Sequence, residues 1–356
     1  MRVLERVPLA PWTTLRVGGA ASQVAEVDCE GDIADAVGLA EDRGGDLVVL
    51  GGGSNVVVGD DGFPGVVLRV EIRGIDVVRQ GDRVLVDAGA GEEWDSLVER
   101  AVGEGWCGLE SLSGIPGRVG ATPIQNVGAY GCDVGQTITS VRVFDRELGT
   151  FADLPSKACG FGYRTSLFKR TSRFIVTRVR FTLGTSVCAG VRYPELARAL
   201  SVAPDGMAPL AAVRGAVIGL RRAKGMLLDP SDPDTVSVGS FFVNPVVDSS
   251  MLADMATWTR ESPPSFALAG GLHKLAAAWL VEHAGFAKGW RKGRAGLSRK
   301  HSLALVNCGG ATTAELVSTA REIRDGVLAT FGVELLPEPV FIGCSWSGPP
   351  EPRPAL

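Results

Sequence analysis

The sequence predicts an α+β protein of more than one domain. Three observations carry that prediction. The chain has 356 residues, enough for two or three domains. Segments of helical and of strand periodicity occur throughout. A glycine-dense run over 108–131, GLESLSGIPGRVGATPIQNVGAYG, can form neither a long helix nor a central strand. A surface loop is the plain reading of such a run. Leu109, Leu112, Ile115, Val119, Ile124 and Val127 argue against it, because a linker carries no apolar anchors. We read the run as an ordered cradle whose bare backbone can approach a flat, charged ligand.

Composition narrows the class. Hydrophobic residues are 45% and charged residues 21%, the balance of a soluble globular protein. A net charge of −4 offers no electrostatic footprint for nucleic acid or anionic membrane. The seven cysteines are scattered, with no CxxC and no metal-type pairing with the three histidines, so they read as reduced thiols in a cytoplasmic protein. No metal site is expected. The first residues lack an apolar signal core, and no run approaches 18 apolar residues, so neither a secretory leader nor a membrane span is expected.

In chain order, 14–70 reads as a small α/β unit. Thr14-Leu15-Arg16 leads to a Gly18-Gly19 turn, and Ile33, Val37 and Ala40 mark one face of a helix over 33–43. A buried strand over 46–50 breaks at Gly51-Gly52-Gly53-Ser54-Asn55, resumes at Val56–Val58, and is followed by another over 66–70. A strand, a glycine turn, a hydroxyl and an amide make a phosphate-binding arrangement. No helix opens after it and no lysine follows, so it is neither a Rossmann fingerprint nor a Walker loop.

Residues 73–210 carry more strands, at 83–88, 141–145 and around Val179, Phe181 and Leu183. An amphipathic segment over 92–103 turns Trp94, Leu97, Val98 and Ala101 inward. A helix over 209–224 turns Val213, Val217 and Leu220 inward, and the proline-rich DPSDPDT then breaks the chain. The last third opens with VGSFFVNPVV and continues through a helix over 272–283, a basic glycine-rich loop and a strand over 303–307. Its closing helix, 315–331, is the best signalled: Thr312 with Glu315 forms a capping box, Leu316, Ala320, Ile323, Val327 and Phe331 form the stripe, and Gly332 ends it.

Two glycine loops suited to anions imply a ligand with two phosphates or a dinucleotide. Arg164 is the residue type that grips carboxylate or phosphate bidentately, against the plain reading of a surface ion pair. Ser240 lies between Gly239 and two phenylalanines, and on a strand residues 240, 242 and 244 would share a face, so Ser240 and Asn244 could enter one pocket. Glu338, among prolines, is an edge glutamate on the plain reading; buried, it would hold a proton at neutral pH. The histidines lie near no nucleophile, so no hydrolase triad is argued.

In this order, TLRVGG, LGGGSN, SGIPGRVGATPIQNVGAYG, YRTSLFK, VGSFFVNPVV, RKHSLALVN and the final PE resemble the UDP-N-acetylenolpyruvoylglucosamine reductase family, from about Thr14 to Gly343. The intact YPEL at Tyr193 resembles the longer of its two subclasses. The resemblance implies an FAD-binding two-subdomain fold of the PCMH/vanillyl-alcohol-oxidase type, plus a C-terminal α+β substrate-binding domain. The expected boundaries are 1–72, joined by a returning segment 334–346; 73–216; 217–333; and a disordered tail 347–356.

It also implies residue roles. FAD would lie on Gly51, Gly52, Gly53, Ser54 and Asn55, and on Gly114, Ile115, Pro116, Gly117, Gly120, Ala121, Gln125, Asn126, Gly128, Ala129 and Tyr130. Ser240 would be the proton donor, with Arg164 and Glu338 as the other catalytic residues; Tyr193, Lys224 and Asn244 would bind the UDP-sugar. NADPH is the implied co-substrate, UDP-N-acetylglucosamine enolpyruvate the implied substrate, and a monomer the expected state. Two departures stand out. Pro339 and Val340 follow Glu338 where the family carries an arginine, and Arg118 stands where a small hydroxyl residue is usual. The rival readings are a different flavoenzyme and a non-catalytic module that binds flavin or a UDP-sugar.

Overall fold

The computed structural model describes residues 1–169, 171–258 and 261–347, without the side chains of 256–258. All of the expected tail but Ser347 lies outside the described residues. The chain forms two compact units, each assembled from separated stretches. The first takes Met1–Val7, Ala21–Gly53 and Phe63–Leu227. The second takes Pro8–Ala20, Ser54–Gly62 and the chain from 228 onward.

The first unit holds two sheets. One runs in the order Arg2–Pro8, Ala20–Val27, Phe63–Val70, Leu47–Val49, and its last three strands pair in parallel. Parallel strands need a crossover, and α1 (Ile33–Glu41), which buries Ile33, Ala36, Val37 and Ala40, carries the chain from Ala20–Val27 to Leu47–Val49 on the other side of Phe63–Val70. The other sheet is antiparallel, in the order Thr150–Pro155, Ile138–Asp145, Phe174–Thr185, Arg83–Gly89, Ile75–Gln80. Helix α2 (Trp94–Gly103) buries the four residues its periodicity names, Trp94, Leu97, Val98 and Ala101. A ten-residue helix is marginal alone, so this stripe holds it, at roughly 1.5–3 kcal/mol for each large apolar side chain fully buried. Helices α3 (Pro194–Leu200) and α4 (Leu210–Ala223) follow, with Val213 and Val217 buried and Leu220 half-buried.

The second unit is built on an antiparallel sheet, Ser237–Ser240, Ala304–Asn307, Ala295–Leu297, Arg291–Lys292. Its helices are α5 (Ser249–Trp258), α6 (Ala277–His283) and α7 (Thr313–Phe331). The expected capping box on α7 is present, and the predicted stripe is buried. Gly332 ends the helix in the left-handed region at φ 67°. Asp60, reached through the turn after Val58, accepts from the Thr313 and Ala314 N–H groups at 2.7 and 2.9 Å. This places a carboxylate at the positive end of the helix.

Two local expectations are corrected. Val56–Val58 does not resume the strand before the glycines; it pairs in parallel with Val340–Ile342. The helix expected over 272–283 is split. Leu272–Leu275 is a strand between Val246–Asp248 and Ser265–Ala267, and only Ala277–His283 is helical. Cross-strand pairing claims the backbone of 272–275, and the Asn244 side chain then accepts from the Ala277 N–H at 3.0 Å and starts the helix.

Candidate functional site

In the first unit the two glycine loops meet. A β-carbon on Gly52 would lie 2.7 Å from the Gly117 Cα, so the two backbones can meet this closely only because Gly52 has no side chain. Beside them, a β-carbon on Gly51 would stand 3.5 Å from that of Ala121, an ordinary contact. The run 108–131 is ordered, as read: Leu109, Leu112 and Val119 are fully buried, and Ile115, Ile124 and Val127 pack against the same core. Gly53, Gly114 and Gly117 have φ of 64°, 70° and 123°, in the region that favours glycine. Bare, positively turned backbone from two loops fits the diphosphate of a dinucleotide, since no β-carbon keeps an anion from the N–H groups.

The YRTSLFK segment is laced onto this run. Arg164 donates from Nη2 to the Gly128 carbonyl at 3.0 Å, and the Ser166 hydroxyl donates to the Ile124 carbonyl at 2.6 Å. Asn126 is buried in the left-handed region, and both ends of its amide engage backbone, Nδ2 donating to Gly162 and Oδ1 accepting from Gly135. Lys169 donates to the carbonyl of Arg164, which is itself left-handed at φ 53°. Arg118 lies with its stem against Gly51 and its guanidinium on the Gly91 carbonyl and the Glu93 carboxylate at 2.8 and 2.9 Å.

Three residues expected at the ligand form a cluster. Tyr130 and Tyr193 meet edge to face with centroids 5.6 Å apart, and Lys224 Nζ stands 5.8 Å from the Tyr130 ring. Burial pushes the Tyr130 phenol up to about 12 and raises that of Tyr193, so both are neutral hydrogen-bond donors at physiological pH. Lys224 is paired with Glu195 at 2.5 Å.

In the second unit Ser240 and Glu338 ride on paired segments. The Glu338 N–H donates to the Phe241 carbonyl at 2.8 Å, Val243 N–H to Leu336 at 3.0 Å, and Val340 N–H to Asn55 at 3.0 Å. Asn55, Glu338 and the residue after Ser240 are thus linked by consecutive backbone bonds. Phe241 and Phe242 are buried and pack on Trp346. The shared strand face for 240, 242 and 244 does not form. The strand ends at Ser240, its register shifts between Ser237 and Ser240, and Gly239 has φ 74°. Asn244 instead supports α6. Glu338 is half-buried, just before the strand Val340–Ile342.

Within their units, Ser240, Asn244, Glu338, Ser54 and Asn55 belong to the second, and the remaining candidates, Arg164 among them, to the first. Sequence reading missed Asp95, Arg214 and Arg221, which contact the glycine run or one another, and Glu195, the partner of Lys224. Only the position of Glu195 inside YPEL carried a signal.

Two family models match the chain. Residues 21–154 match the family described as FAD binding domain, and residues 230–342 match UDP-N-acetylenolpyruvoylglucosamine reductase, C-terminal domain. The chain is 52% identical over 346 residues to the UDP-N-acetylenolpyruvoylglucosamine reductase of Salinispora arenicola, covering 95% of each chain. To that of Thermobifida fusca it is 49% identical over 345 residues, 95% of this chain and 97% of the other. The crystal structure of the Thermus caldophilus reductase aligns with TM-score 0.67 at 26% identity, over 96% of this chain and 99% of that one. The expected α+β fold, an FAD-binding domain followed by this C-terminal domain, is borne out. The chain belongs to the UDP-N-acetylenolpyruvoylglucosamine reductase family and is an FAD-containing oxidoreductase.

Proposed function

We propose that this protein reduces UDP-N-acetylglucosamine enolpyruvate to UDP-N-acetylmuramate, a peptidoglycan precursor, with NADPH as electron donor. The carrying observation is the contact of the Gly52 and Gly117 backbones. It supports Gly51–Asn55 and Gly114–Tyr130 as the FAD loops, in subdomains 1–72 and 73–216. FAD, when bound, supplies hydride transfer from the nicotinamide to C3 of the enolpyruvyl group.

The chain's own residues do the rest in this reading. Arg164, whose guanidinium is steadied by the Gly128 carbonyl, holds the substrate carboxylate and stabilises the negative charge that grows there. Glu338 adds a second hydrogen-bonding group at that charge. The Ser240 hydroxyl delivers the proton to C2; the Phe241–Phe242–Trp346 packing behind it keeps its backbone in place. Lys224, Tyr193 and Asn244 bind the UDP-sugar, Lys224 exchanging Glu195 for the diphosphate. The protein acts as a monomer in the cytoplasm; among the described residues no helix is long and apolar enough to cross a membrane.

The test is anaerobic. Purified protein is reduced with NADPH until its visible flavin band bleaches, and the enolpyruvyl sugar is then added. Return of the band with formation of UDP-N-acetylmuramate is the expected result. A flavin that stays bleached removes the reductase reading.

A further inference from the structure

Gly114 is gripped from both sides by side chains of two helices. Its N–H donates to Asp95 Oδ1 at 2.6 Å, and its carbonyl accepts from Arg221 Nε at 3.1 Å. Asp95 stands in the first turn of α2 and is held by Arg214 of α4 through bonds of 2.7 and 2.9 Å. Arg214, Ile218 and Arg221 lie on one face of α4, and all three bear on this turn. Ile218 fills the space above Gly114: a β-carbon there would stand 2.7 Å from its Cδ1.

Arg221 makes no carboxylate pair among the described residues; its guanidinium donates to the carbonyls of Gly114 and Met226, the latter at 2.7 Å. Its charged and titratable neighbours are Asp95 and Tyr130, and burial works against its charge. Arg221 is half-buried, and a guanidinium that bonds two carbonyls with no carboxylate paired to it gives its hydrogen bonds to the shape of the turn. Helix α2 adds two more ties: Trp94 Nε1 donates to the Leu112 carbonyl at 3.2 Å, and the Trp94 N–H to the Gly117 carbonyl at 3.0 Å. Gly117 is the residue whose backbone meets Gly52.

We propose that Asp95 and Arg221 are positioning residues that hold the Gly114–Gly117 turn, with Gly114 left-handed, against Gly52, and so set the shape of the flavin loop. The proposal rests on the flavin-loop reading above. Neither side chain needs to touch the flavin. Asp95 fixes where the Gly114 N–H points, Arg221 fixes its carbonyl, and Arg214 keeps Asp95 in place.

The experiment titrates the apoprotein with FAD and records the visible circular dichroism of the bound flavin, with the apoprotein Tm as control. Asp95→Ala and Arg221→Met are expected to bind FAD about tenfold more weakly or worse, as for losing a hydrogen bond to a charged group, and to change the dichroism. Asp95→Asn keeps an oxygen for the Gly114 N–H and recovers part of the affinity. A purely structural role would lower the Tm and leave the dichroism of bound flavin alone. Folded Asp95→Ala and Arg221→Met with wild-type affinity and dichroism overturn the proposal. If those two do not fold, Arg221→Lys decides, because an ammonium lacks the planar fork that spans both carbonyls. Weaker binding with altered dichroism supports the proposal, and wild-type values overturn it. Wild-type apoprotein that takes up no FAD overturns the flavin reading itself, and this proposal with it.

Discussion

The two units hold their candidate residues by different means. In the first, irregular backbone is pinned by side chains: Asp95 and Arg221 on Gly114, Arg164 on Gly128, Ser166 on Ile124, Asn126 on Gly162. In the second, Ser240 and Glu338 sit on segments joined backbone to backbone, with Phe241 and Phe242 packed behind them. The contrast follows from what each region presents. A glycine loop outside any ladder has no strand partner to fix its backbone, so side chains take over its shaping. A region that offers a hydroxyl or a carboxylate can leave its backbone in a ladder and lose the side chain without losing the scaffold.

That difference can be broken by substitution. Ser240→Ala has the largest expected effect: turnover falls by about 10²–10⁴, the usual worth of a positioned acid or base. Reduction of the flavin by NADPH and the stability of the protein stay as in wild type, because the ladder through Phe241 and Glu338 does not use the hydroxyl. Stopped-flow measurement of the two half-reactions reads this, and wild-type oxidation by the sugar would remove Ser240 from the chemistry.

Gly52→Ala should act the opposite way. Its β-carbon would meet only backbone, Gly117 Cα at 2.7 Å and C at 3.3 Å, so the loops must part. An overpacking cost of roughly 1–3 kcal/mol should appear as weaker FAD binding, measured by equilibrium dialysis. Undiminished FAD retention would mean that the meeting of the loops does not shape the cradle.

Thr312→Ala is the smallest and sharpens the separation. Loss of the cap on α7 costs about 1 kcal/mol in denaturant unfolding, and FAD affinity is expected to be unchanged. A parallel loss of FAD affinity would show that the two regions are energetically one.

Residues whose signal is local were legible. The stripes of α2 and α7 repeat with the helical period, and the box at Thr312 and Glu315 spans a single turn. The glycine run announced itself by what it cannot form. Where a local pattern competes with distant pairing, it misled. Leu272–Leu275 carries residues that suit a helix, yet Val246–Asp248 claims it as a strand. Ser240, Phe242 and Asn244 have even spacing, yet the bulge at Gly239 and the end of the strand undo their shared face. Arg221 looked like one basic residue among several in LRRAK, because nothing near it in sequence reveals its acceptor.

By itself, the amino-acid sequence determined which faces are buried, where the last helix starts and stops, that two loops must be glycine, and which family's motifs the chain carries. Burial, capping and backbone freedom are properties of a residue and its near neighbours, so they leave a readable period or spacing. Tertiary structure alone decided that Gly52 meets Gly117, that Val56–Val58 pairs with Val340–Ile342, and that Arg221 reaches a carbonyl 107 residues away. Such contacts depend on where the whole chain places two distant backbones, and a hydrogen bond across that distance has no counterpart in local composition.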